Sequence, residues 1–214
     1  LAAKTDSLVG SMRITVPAFG DRSHMREVIW KFARLHPMVS VSLNTSDQQA
    51  NLVADGYDVA IRLGELPNSS LKCRRIADFT RTLVASPNYL AEHGPIASVE
   101  QLKAADFVSI SIISSNVVLV NANEQISFEP ENVKVEVDSI SAAKSAVLAD
   151  FGIQHLPSGE VADELETGEL VEILPLWKPP VLGVYAVWSD TGRQKRVTRA
   201  FIDFLVQFEA KRGV

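Results

Sequence analysis

The sequence predicts an α/β fold in which parallel strands lie under a cover of helices. Three observations predict it. Residues 12–63 alternate strand and helix signals in the order β-α-β-α-β, which means parallel strands joined by helical crossovers. Mixed strand and helix signals continue through residues 81–188 and end in a strongly amphipathic stretch over 195–211. The chain has 214 residues, 46% hydrophobic and 22% charged, an ordinary globular composition that excludes a disordered, collagenous or coiled-coil chain. By length it forms one or two domains.

The elements follow in order. Residues 12–16 read as a short strand stopped by Pro17. A helix opens at Gly20 and Asp21 and runs to His36, with Met25, Val28, Ile29 and Phe32 at the i, i+3, i+4, i+7 spacing of one buried face and Trp30 off that stripe. Pro37 ends it, because the residue before a proline avoids helical geometry. Val39, Val41 and Leu43 alternate with Ser40, Ser42 and Asn44, a strand with one polar face. A second helix is expected over about residues 47–54, stopped at Gly56, and a third strand over 58–63. Asp55 and Asp58 flank that glycine, where carboxylates serve as turn formers.

Residues 81–85 read as a strand. Ser98 and Gln101 have the spacing of a capping box. Apolar β-branched runs cover 107–113 and 117–120, and Val133, Val135 and Val137 alternate. Small residues predict a helix over 139–149, and another over 160–166 ends at Gly168. A strand over 183–188 precedes the last helix, whose Val197, Ala200, Phe201, Phe204, Leu205 and Phe208 form a core stripe.

Chemistry is conspicuous by its lack. With 21 basic and 26 acidic residues the formal charge is −5, which disfavours nonspecific nucleic-acid binding. The longest apolar runs, about eight residues, are far short of a membrane span. The single Cys73 excludes an internal disulfide, suits a reducing compartment and reads as a small buried hydrophobe. The histidines, His24, His36, His93 and His155, are scattered, with no pair at metal-ligand spacing. There is no nucleophile elbow, phosphate loop or dinucleotide turn. Arg193, Lys195, Arg196 and Arg199 read as a solvated helix start. Nothing argues for an enzyme, a metal or a cofactor.

Six strings carry a resemblance. Residues 10–20, Gly10-Ser11-Met12-Arg13-Ile14-Thr15-Val16-Pro17-Ala18-Phe19-Gly20, resemble the opening of the effector-binding domain of LysR-type transcriptional regulators. Residues 32–39, with Leu35-His36-Pro37, resemble that family's first helix end and second strand start. Asp55-Gly56-Tyr57-Asp58-Val59-Ala60-Ile61-Arg62-Leu63-Gly64 resembles its third strand. Residues 84–90, with Ser86-Pro87-Asn88-Tyr89, resemble the passage into a second lobe. Residues 151–157, with Gly152-Ile153, are similar to a characteristic turn, and residues 201–205 to the closing helix. Six strings in order cover nearly the whole chain. Two positions depart: Asp150 stands where the family has glycine, and Arg26 where many members have proline.

The resemblance implies a type 2 periplasmic-binding-protein-like fold: two α/β lobes joined by two crossover strands, with a ligand cleft between them. Lobe I would be residues 10–83 plus 187–214, lobe II residues 84–186, and residues 1–9 a linker remnant. It also implies an N-terminal winged helix-turn-helix outside this fragment that contacts promoter DNA, a cytoplasmic location, no membrane contact, and self-association to a dimer or tetramer through the helix at 21–36 and the one at 139–149. The alternative is a periplasmic solute-binding receptor of a transporter. An enzyme on the same fold, such as a tetrapyrrole-precursor deaminase, fits less well, because its cofactor-bearing cysteine would not sit where Cys73 does.

Ligands of open α/β sheets bind beyond the carboxyl ends of the strands. That rule selects Pro17, Ala18 and Phe19 after the first strand, leading into a helix N-terminus whose free N–H groups favour a carboxylate. It selects Thr45 and Ser46 after the second, and Arg62 and Leu63 at the end of the third, where Arg62 pairs with either an anionic ligand or a nearby acid. From the second lobe it selects Ser114, Ser115, Asp138 and Ser139, with Phe151 and Phe19 for apolar contact. The expected effector is a small anionic or aromatic molecule.

Overall fold

A computed structural model of the chain describes residues 7–18, 22–48, 51–64, 71–189 and 196–210. β1 (Gly10–Val16) buries Met12, Ile14 and Val16, and α1 (Arg22–Leu35) lays Val28, Ile29 and Phe32 over the same core. β2 (Val39–Thr45) keeps its serines and Asn44 in solvent, as its alternation predicts. β3 (Val59–Leu63) buries Val59, Ala60 and Ile61. β4 (Leu71–Phe79) has no counterpart in the sequence reading; as a sheet edge it exposes Lys72, Cys73, Arg74 and Arg75 in succession, so no two-residue period marks it.

The expected helix over 47–54 is not formed in the described residues: 52–56 are turns. Side chains satisfy the backbone there instead. Asp55 Oδ2 accepts the Asn51 N–H at 2.8 Å, Asn51 Oδ1 accepts the Ala54 N–H at 3.1 Å, and Gly56 reverses the chain at φ 69°. Asparagine and aspartate compete with the helix for its own hydrogen bonds, and here they prevail.

The middle of the chain supplies β5 (Arg81–Ala85), α2 (Pro87–His93), α3 (Val99–Ala104), β6 (Asp106–Ile110), β7 (Val117–Val120), β8 (Gln125–Phe128), β9 (Asn132–Val137), α4 (Ile140–Leu148), β10 (Gln154–Pro157), α5 (Ala162–Thr167) and the short β11 (Val171–Glu172). Helix starts are chemically marked. Ser86, Ser98 and Ser139 accept N–H bonds from Tyr89, Gln101 and Ala142, and Gln101 completes the predicted capping box. Gly168, at φ 80°, ends α5. β12 (Leu182–Ser189) and α6 (Arg196–Ala210) close the chain.

These elements form two compact units, Leu1–Phe79 with Leu182–Val214, and Thr80–Val181. The junctions fall at 79/80 and 181/182, where the sequence reading had 83/84 and 186/187. Whole strands decide this: β5 pairs only with β10 and β11, while β12 pairs along β3 and β4.

The first unit holds a five-stranded sheet, β2-β1-β3-β12-β4. β1 pairs in parallel with both β2 and β3, as the β-α-β-α-β order predicts, and β12 returns antiparallel. Phe32 of α1 meets Phe201 of α6 edge-on, centroids 5.1 Å apart, over a core that includes Ile14, Ile29 and Leu205. In the second unit β10-β5-β11 form one sheet and β6-β9 a parallel pair. Ile153 joins the two by bridging Phe107. Its core gathers Leu83, Tyr89, Leu102, Phe107, Leu119 and Ile153.

Candidate functional site

In the first unit the parallel strands deliver their ends to one rim. The β1–β2 register pairs Val16 with Thr45, so both strands stop level, and the Ser46 N–H donates to Val16 O at 3.0 Å. One residue on, the Ala18 N–H donates to Asp47 Oδ1 at 2.9 Å. Pro17, Ala18, Thr45 and Ser46 are therefore brought together. Asp47 occupies the N–H that the sequence reading left open at Ala18. It was missed as a site residue because it reads as the opening of a helix that does not form. Ser46 Oγ accepts the Gln48 N–H at 3.2 Å, which fixes the hydroxyl in a local turn and leaves its proton to donate outward. Phe19 lies outside the described residues.

At the end of β3, Arg62 and Leu63 point to opposite faces. Leu63 packs against the core with Ile61 and Val59. Arg62 is half-buried and stands opposite Tyr185 of β12. The turn before β3 is held by carboxylates, as expected. Asp58 Oδ2 accepts the Arg13 N–H at 2.9 Å, while the Arg13 guanidinium donates to Asp55 O at 2.9 Å and lies over the Tyr57 ring.

In the second unit β6 and β9 also end together, with the Ser111 N–H donating to Val137 O at 2.8 Å. Asp138 is exposed just beyond, and Ser139 caps α4, its Oγ accepting the Ala142 N–H at 3.3 Å. Ser114 and Ser115 follow β6 in an exposed turn in which Ser114 Oγ accepts the Asn116 N–H at 3.2 Å. Phe151 does not join this group. It is exposed at the far end of α4, whose nine residues span about 13 Å.

A cavity of about 290 Å³ in the second unit is lined by none of the expected residues. Its wall is the His93 ring stacked on Tyr89 at 4.4 Å, and its floor is Asp106, with Lys134 Nζ 3.6 Å away. The polar groups there are engaged in structure. Tyr89 Oη accepts the Asp106 N–H at 2.9 Å, and Gln101 Oε1 accepts the Ala97 and Ser98 N–H groups.

Among the described residues no three His, Cys, Asp or Glu side chains gather where they could hold a metal ion. Cys73 is exposed on β4, a correction to its expected burial: it lies in the run 72–75 that this edge strand leaves in solvent on both faces. His155 is buried on β10, and desolvation, helped by the positive charge of Arg81, lowers its pKa to about 3. Arg193 and Lys195 lie outside the described residues, and Arg196 and Arg199 open α6. No described helix is long and apolar enough to cross a membrane.

Comparisons with known proteins agree with this picture. The family model described as LysR substrate binding domain matches residues 5–210. The transcriptional regulator PtxR of Pseudomonas aeruginosa is 30% identical over 198 residues, which cover 92% of this chain and 63% of that protein. The full-length virulence activator AphB of Vibrio cholerae, described as a member of the LTTR protein family, has a similar fold with a TM-score of 0.81 and 25% identity over 95% of this chain and 70% of its own. The regulatory domain of CrgA from Neisseria meningitidis has a similar fold, with a TM-score of 0.77 at 24% identity, covering 94% of this chain and 98% of that domain. The chain spans less than two thirds of the length of the first curated relatives it matches.

Proposed function

The chain belongs to the LysR substrate binding domain family, and from that premise we propose that it is the effector-sensing part of a cytoplasmic DNA-binding transcriptional regulator rather than a transporter's solute receptor or an enzyme. The matched relatives are transcriptional regulators, which supports the first reading over the other two.

The observation that carries the binding site is the level ending of β1 and β2. The bonds Ser46 N–H to Val16 O and Ala18 N–H to Asp47 set the Pro17–Ala18 and Thr45–Ser46 backbones on one rim. Thr45 and Ser46 hydroxyls offer donors there, and Arg62, at the end of the neighbouring parallel strand, supplies a positive charge. Such a rim suits a small carboxylate or an aromatic acid. Asp138, Ser139, Ser114 and Ser115 are polar groups at strand ends within the second unit and are proposed as effector contacts on that ground alone. Ligand binding then shifts the balance between oligomer arrangements that differ in their affinity for the ligand, and this shift controls transcription.

A thermal-shift screen of small carboxylates and aromatic acids tests the reading, repeated with Arg62→Ala and Ser46→Ala. The expected result is a hit whose apparent affinity falls at least about tenfold in each variant. A hit unaffected by both changes overturns this placement of the site.

A further inference from the structure

We propose that Arg81 and His155 together form a buried site for one compact monoanion, a halide or a small carboxylate, inside the unit 80–181. This goes beyond the effector reading and uses none of its residues.

The antiparallel β5–β10 register pairs Arg81 with Pro157 and Leu83 with His155. Paired residues share a face and every second residue returns to it, so Arg81 and His155 are diagonal neighbours on the face that carries Leu83 and Ile153. Neither polar head is fully used. Arg81 donates through Nη2 to Pro180 O at 3.0 Å, but its Nε is shut off from solvent with no hydrogen-bond partner. His155 Nδ1 is shut off and unpartnered in the same way. Among the described residues no carboxylate forms an ion pair with Arg81. Thr82, next along β5, faces the other side of the sheet, and its hydroxyl is bonded to that of Ser158 at 2.9 Å.

A guanidinium nitrogen shut off from water with no acceptor is costly, and so is an orphaned ring nitrogen. A single anion answers both. It accepts the Arg81 Nε–H and, with the neutral imidazole carrying its proton on Nδ1, the His155 N–H, while its charge balances the guanidinium. The apolar neighbours Leu83 and Ile153 restrict the guest to a compact ion.

The test uses the whole chain at neutral pH. Sodium gluconate, too bulky to enter, is replaced stepwise by sodium chloride or by sodium acetate at constant ionic strength, and thermal unfolding is followed. The expected result is a rise in Tm that saturates with chloride, acetate or both, by at least about 5 °C at a hundredfold excess over Kd. The arm with the lower midpoint concentration identifies the preferred ion. His155→Gln and Arg81→Gln are expected to remove the saturable rise. Should Arg81→Gln not fold, bromide diffraction on the unaltered protein takes its place, with an anomalous peak expected within hydrogen-bond distance of Arg81 Nε. Equal Tm in chloride, acetate and gluconate, a rise that survives both substitutions, or water alone between the two side chains in bromide-grown crystals overturns the proposal.

Discussion

Asp150 holds a left-handed backbone, φ 67°, and its carboxylate accepts the Ser86 hydroxyl proton at 2.5 Å. Ser86 Oγ in turn accepts the Tyr89 N–H at 3.1 Å, so one hydroxyl starts α2 and restrains the turn that follows α4. At this position the resemblance leads one to expect glycine. The positive φ explains the glycine, and the side-chain bond explains how an aspartate is tolerated.

Two substitutions separate these effects. Asp150→Ala keeps the strained backbone and loses the hydrogen bond, and is expected to destabilise by about 2 kcal/mol. Asp150→Gly loses the bond but relieves the backbone, and is expected to stay within about 1 kcal/mol of the original. Urea unfolding midpoints of the two variants check the order.

Gly152 admits no such exchange. Its φ is 137°, and a Cβ there would lie 2.3 Å from Asp106 O, a backbone atom that also accepts the Ile153 N–H. Gly152→Ala must move β6 relative to β10, and a loss of about 3 kcal/mol or more is expected. Circular dichroism during thermal unfolding measures it. A melting temperature unchanged from the original refutes this account of the turn.

His155 predicts an acid limb of stability. Its pKa falls from 6.5 to about 3 because burial, and then the charge of Arg81, disfavour the imidazolium. Between those values the unfolded chain binds a proton that the folded chain refuses, so stability rises with pH. The contribution is complete above about pH 6.5 and is lost as pH falls toward 3. His155→Gln removes the proton uptake, and the unfolding free energy is expected to flatten between pH 6 and 4 relative to the original. Denaturant titrations across that interval read the slope directly.

Trp30 is 50% exposed on α1, on the side away from the stripe Val28, Ile29 and Phe32. Self-association through α1 and α4 is what the family resemblance implies, and large aromatics carry much of such contacts. Trp30→Glu is expected to weaken the dimer at least about tenfold without lowering Tm. Sedimentation velocity over a concentration series distinguishes the two proteins, and identical profiles reject α1 as the contact.

The strings that carried the family resemblance do mostly structural work. Asp55 and Asp58 hold the turn before β3 and anchor Arg13, Ser86 ties the start of α2 to Asp150 while Tyr89 ties α2 to Asp106, and Gly152 allows β10 to approach β6. Such positions are legible because their chemistry is local: a cap, a turn, or a backbone angle only one or two residue types adopt. The same locality misled at residues 47–54, where helical spacing was outbid by Asn51 and Asp55 side chains.

By itself the sequence determined the α/β class, the parallel sense of the first three strands, the Ser98–Gln101 capping box and the buried stripes of α1 and α6, because these depend on period and on neighbours a few residues apart. Only the tertiary structure decided that Asp47 takes the Ala18 N–H, that Phe151 stands a helix length from Ser139, that β4 is an edge exposing Cys73, and that Arg81 and His155 share a buried face. Those relationships join residues from 12 to 74 positions apart, and strand register, which no local period encodes, sets which of them meet.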